Sequence, residues 1–138
     1  MKQNKILLLA AMLFLSVSTA SAQDAEALFD AKCAMCHIKT RPADISTLTA
    51  PPLMGIMRHV KMRYPDKKKA VAFISDYALD PSSTKAVCMP QKIQRFGLMP
   101  SQKGNVTQSE LKTISEWMYD NFPPAGFRGG QGQGMRTF

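Results

Sequence analysis

Cys33-Ala34-Met35-Cys36-His37 constrains this chain more than any other stretch. Two thiols three positions apart, followed at once by an imidazole, have the spacing of a c-type haem attachment site. Each thiol can add to one vinyl group of a haem, giving two thioether bonds. On a helix the two sulfurs share one face, and the adjacent His reaches under the porphyrin to the iron. Two blander readings exist: a reduced pair of core cysteines beside a helix-end histidine, or half of a zinc site. The sequence offers no second Cys/His pair to complete the latter.

The start of the chain supports the haem reading. Residues 1–22 have the pattern of a secretory signal peptide: Lys2 and Lys5, an apolar run from Ile6 to Leu15, then Ala20-Ser21-Ala22 before Gln23. The apolar run is too short for a membrane span, and no later segment is long or apolar enough for one. Cleavage would leave a single domain, residues 23–124, followed by a Gly-rich tail over 125–138 that reads as flexible. Signal removal takes none of the 10 acidic residues, so a chain of formal charge +8 stays basic. The expected compartment is the periplasm or another exported, oxidising space, where thioether attachment is made in bacteria. The third cysteine, Cys88, is then odd, either a buried inert thiol or half of an intermolecular disulfide.

No β pattern of any length occurs, and the chain reads as all-α. A helix over 23–35, capped by Asp24 and burying Leu28 and Phe29, would deliver the cysteines at its end. Residues 38–50 read as a loop. Pro52 can open a helix over 53–64 with Leu53, Ile56, Met57 and Val60 on one face. Pro51 is either a rigid turn residue or the carbonyl acceptor that a ligating His37 needs at Nδ1. Asp66 can cap a helix to about Leu79, Pro81-Ser82-Ser83 can open a short one to about Met89, and Met99 falls in a Pro/Gly loop. Thr107-Gln108-Ser109-Glu110 is a capping box opening a helix to about Asn121, with Leu111, Ile114, Trp117 and Met118 on its apolar face. Lys67-Lys68-Lys69 sits at the helix end that disfavours positive charge. It is either a solvated run or a docking patch for an acidic partner.

Taken together these pieces resemble class I cytochrome c, a family of monohaem electron carriers. The resemblance covers residues 24 to 122. It rests on the helix ending in Cys33–His37, on Pro51-Pro52-Leu53-Met54-Gly55, on Phe96-Gly97-Leu98-Met99-Pro100, and on a capped last helix carrying Trp117. It implies a small domain whose N- and C-terminal helices cross beside one covalent haem c, with Phe29 meeting Trp117. Cys33 and Cys36 would carry the thioethers, and His37 and Met99 would bind the iron. Pro51 would orient His37, and Leu53 would pack on the haem. The glycine that precedes the family's proline is Ala50 here, and the resemblance does not cover the segment between Gly55 and Met99.

Met89-Pro90 repeats the dipeptide of Met99-Pro100, but its surroundings read as a helix end rather than a ligand loop. His59 is an alternative second ligand, and Arg41, Arg58 and Arg95 are candidate partners for haem propionates. Met/His ligation implies a saturated iron that passes single electrons to redox partners with acidic docking surfaces. The sequence also allows a haem-carrying subunit of a larger periplasmic oxidoreductase, or an open-site haem enzyme such as a peroxidase. Nothing points to nucleic acid: Arg128-Gly129-Gly130 is a superficial likeness to RNA-binding segments, in a chain expected outside the cytoplasm.

Overall fold

The structure is a computed structural model that describes residues 20–128. Within that range the chain is all-helical: α1 (Ala20–Lys32), a 3-10 turn (Ile45–Thr47), α2 (Leu53–Arg63), α3 (Lys67–Leu79), α4 (Pro90–Phe96) and α5 (Gln108–Asn121). Residues 1–19 of the expected signal segment, and the tail from 129 onward, lie outside the described residues. No described helix is long and apolar enough to cross a membrane.

Local chemistry sets most of the boundaries. Thr107 Oγ1 accepts from the Glu110 amide while the Glu110 carboxylate accepts from the Thr107 amide, so the capping box of α5 is complete. The Asp66 carboxylate accepts from Lys69 N at 2.9 Å and opens α3. Pro52 precedes α2 and Pro65 follows its last turn. Pro90 occupies the first turn of α4, where its missing N–H costs nothing, and Gly97 ends that helix at φ +75°, a conformation that favours glycine.

Three expectations need correction. Asp24 caps nothing: α1 already begins at Ala20, because the helix-permissive residues before Asp24 extend it. The same helix ends at Lys32, so the cysteines follow it in successive turns rather than riding on it. Phe29 O accepts from both Cys33 N and Ala34 N, and Cys33 O from both Cys36 N and His37 N. Finally, Pro81-Ser82-Ser83 opens only one turn, closed by Ser82 O and Oγ on Lys85 N. Met89 then precedes a proline, which disfavours helical backbone, and the helix starts at Pro90 instead. Met89-Pro90 is therefore a helix start, and residues 80–89 form an irregular strap between α3 and α4.

The core lies where α5 packs across α1 and α3, with a lighter contact to α2. Phe29, Leu53, Met57, Val60, Ala70, Leu111 and Ile114 are buried there. Ala25 and Phe29, one helical turn apart, are the buried face of α1, while Leu28 is only half-buried. The Phe29 and Trp117 rings meet at 5.2 Å where α1 and α5 cross. Lys67, the first of the three lysines, pairs with Asp120 at 2.7 Å and ties the start of α3 to the end of α5. Phe29 is 1% exposed, so Phe29→Ala should cost about 3–5 kcal/mol of unfolding free energy. Urea denaturation of the wild type and the variant measures this directly.

Candidate functional site

Two hydrogen bonds bring the cysteine segment to the start of α2. His37 Nδ1 lies 3.0 Å from Pro51 O, and with its proton on that nitrogen the ring donates there. One residue further along, Leu53 N donates to Ile38 O at 2.9 Å. The intervening loop is thus closed at its base. Lys39 secures it from outside by reaching Glu26 and Asp30 on α1, at 2.7 and 2.9 Å. Ala50 adopts an ordinary negative φ, so the turn before Pro51 does not require the glycine that the family pattern carries.

With Nδ1 committed to a carbonyl, Nε2 is the nitrogen left with a lone pair for a metal. Burial lowers the His37 pKa and outweighs the Pro51 bond, which acts the other way. The imidazole is therefore neutral at neutral pH, the form that ligates. Burial also pushes the Cys33 thiol up to about 11, with the neighbouring Cys36 adding to the shift.

Two clefts adjoin at these residues, of about 130 Å³ and about 280 Å³. Cys33, His37, Pro51, Gly97 and Met99 line both. The smaller cleft runs inward to Leu53 and Ile114 and is almost wholly apolar. The larger opens to the surface past Cys36, Met35 and Leu98. Met99 arrives on the loop after α4. That loop is hung on the end of α3 by Ser101 Oγ donating to Leu79 O and Gln102 N donating to Ala78 O.

The sequence-nominated set Cys33, Cys36, His37, Pro51, Leu53 and Met99 thus converges on one recess. The competing residues do not. Met89 and His59 line neither cleft. Arg41, Arg58 and Arg95 are absent from the lining as well, and Arg95 instead donates to Ile45 O, joining α4 to the 3-10 turn. Two lining residues escaped the sequence reading. Cys88 faces the inner cleft from the strap, its thiol raised by burial, and Lys92 faces it from α4.

These residues fit the group that the Cys33–His37 spacing implies: two thiols at one edge, a neutral imidazole with a free Nε2, a thioether on a separate wall, and apolar surroundings. Among the described residues no three His, Cys, Asp or Glu side chains gather as a metal site.

No family model matches the chain, and no solved structure matches it. A protein of Aquifex aeolicus, described as uncharacterized, is 30% identical over an alignment of 103 residues, and the match covers 65% of this chain and 68% of that protein. The chain belongs to one family with that Aquifex protein.

Cys36 is exposed, whereas Cys33 and Cys88 are half-buried. Iodoacetamide should therefore label Cys36 of the haem-free chain first at pH 8. Cys33 should accelerate only as pH approaches about 11. Peptide mass mapping against time and pH measures this, and equal rates at the three sites would contradict the arrangement.

Proposed function

We propose that this chain is an exported monohaem c-type cytochrome that passes single electrons between redox partners. The observation that carries the proposal is the convergence of His37 and Met99 on one recess, with His37 already oriented by Pro51. In this reading the all-helical architecture is that of a class I cytochrome c, with α1 and α5 crossing at Phe29 and Trp117.

The haem, when attached through Cys33 and Cys36, supplies the Fe(III)/Fe(II) couple. The chain supplies everything around it. His37 presents Nε2, held in place through Nδ1. Met99 presents a soft thioether, which favours the reduced iron and raises the potential relative to two histidines. Both ligands sit on anchored segments, so an electron can come and go with little rearrangement. Leu53 and Ile114 keep water out on the inner side.

Partner contact falls at the outer cleft, where Met35 is 91% and Leu98 43% exposed. Lys32 lines the same cleft and adds a positive charge that an acidic partner would meet. The Lys67–Lys69 run contributes less than its sequence suggests, because Lys67 is paired with Asp120.

The purified ferric protein should show the thioether–Fe(III) charge-transfer band at the red end of the visible spectrum. Met99→Ala should abolish that band and let carbon monoxide bind the ferrous form, whereas Met89→Ala should leave both unchanged. A band that survives Met99→Ala would remove Met99 as ligand. Carbon monoxide binding to the wild type would favour the open-site enzyme.

A further inference from the structure

Lys92 is the one Lys or Arg side chain on the otherwise apolar inner cleft. It has no carboxylate partner among the described residues. The whole acidic complement shows why. Glu26 and Asp30 hold Lys39, Asp76 and Asp80 hold Lys85, Asp120 holds Lys67, and Glu116 faces Lys112. Asp44, Asp66 and Glu110 cap helix starts. Those make nine of the ten acids, and the tenth, Asp24, stands exposed on α1.

The groups around the Lys92 ammonium add no negative charge. From α2 comes His59, from the strap the Cys88 thiol, and from α4 itself the Phe96 ring, 5.9 Å away. The His59 pKa is lowered, first by burial and then by Arg58 and Lys92. Lys92 is half-buried on the cleft wall near the His59 imidazole, and with every acid but Asp24 committed elsewhere its ammonium is left for an anion from outside the chain.

We infer that Lys92, at the edge of the inner cleft near His59, binds a carboxylate of the molecule that fills the cleft. This rests on the haem reading, in which that carboxylate is one of the two the porphyrin carries. Lys92 is then a positioning residue: it fixes the rotation of the disc and offsets a negative charge close to the iron.

The test uses the exported, haem-loaded protein, with the reduction potential followed across pH by spectroelectrochemistry. Lys92→Met keeps the stem and removes the charge. It should lower the potential, because an uncompensated carboxylate favours Fe(III). It should also move the carboxyl-linked step in the potential to higher pH. Lys92→Arg should restore both, and Lys112→Met, on the exposed face of α5, should change neither. His59→Gln separates the imidazole: a step that persists in this variant and moves in Lys92→Met belongs to a carboxyl group.

A Lys92→Met profile that overlays the wild type would overturn the inference, as would a shift that disappears at high ionic strength. So would a wild-type potential that responds to added acetate, since the site would then be open to free anions. A wild-type chain carrying no thioether-bound haem by mass would instead defeat the reading on which this rests.

Discussion

The hydrogen bond from His37 to Pro51 is the constraint on which the rest of the site depends. Its net worth to stability is only about 1 kcal/mol, as for any intramolecular hydrogen bond. That is too little to hold a loop closed alone, and Leu53 N to Ile38 O adds a second bond of the same kind beside it. The weight of the His37 bond lies in direction. An imidazole whose Nδ1 proton is committed to a carbonyl has one tautomer and one ring orientation, and losing such a partner typically costs about 10–100-fold in metal affinity. A proline suits the acceptor position. It lacks an N–H but keeps its carbonyl as an acceptor, and Pro52, next in line, caps the helix that carries Leu53 inward.

The opposite wall depends on a different set of contacts. Met99 belongs to no helix, yet the two residues after Pro100 donate to the last carbonyls of α3. Those carbonyls are left without helical partners at any helix end. The Met99 loop satisfies them and is itself held in doing so. Because α3 packs on α5, and α5 on α1, the two walls of the recess are referred to one core. Lys39 and Lys85 act at the periphery. Lys39 bridges two carboxylates on α1 and Lys85 bridges Asp76 on α3 and Asp80 just after it, but as exposed pairs they orient the loops more than they stabilise the fold.

Much of this was legible in the sequence, and the misses share a cause. Strong local signals gave the right elements: the capping box at Thr107–Glu110, Asp66 before α3, Pro52 before α2, and the apolar face of α5. Pro51 could be proposed as an acceptor because the chemistry of a ligating histidine demands one. The errors fell where a local signal was real but too short in reach. Ser82 does begin a turn, and nothing in the residues after it sustains a helix. Pro90 was read as punctuation when it was the first residue of a helix, and with that helix unrecognised Lys92 could not be placed on the cleft. The arginines proposed as anion partners were chosen for their charge alone, and charge does not say which face a side chain occupies.

The placement of charge in the folded chain follows a consistent logic. Basic residues outnumber acidic ones, 18 to 10, so many lysines and arginines have no acid to meet. On the surface that surplus costs little, because water and salt screen it. On the wall of an apolar cleft it costs far more, since an ammonium there loses hydration without gaining a partner. A sequence selected for stability alone would place Leu or Met at position 92, beside Ile93. Lys92 lines such a cleft with no carboxylate partner among the described residues, so the negative group proposed for it comes with whatever fills the cleft. The same reasoning separates it from Lys68 and Lys69, which lie exposed on α3 and need no partner to account for them.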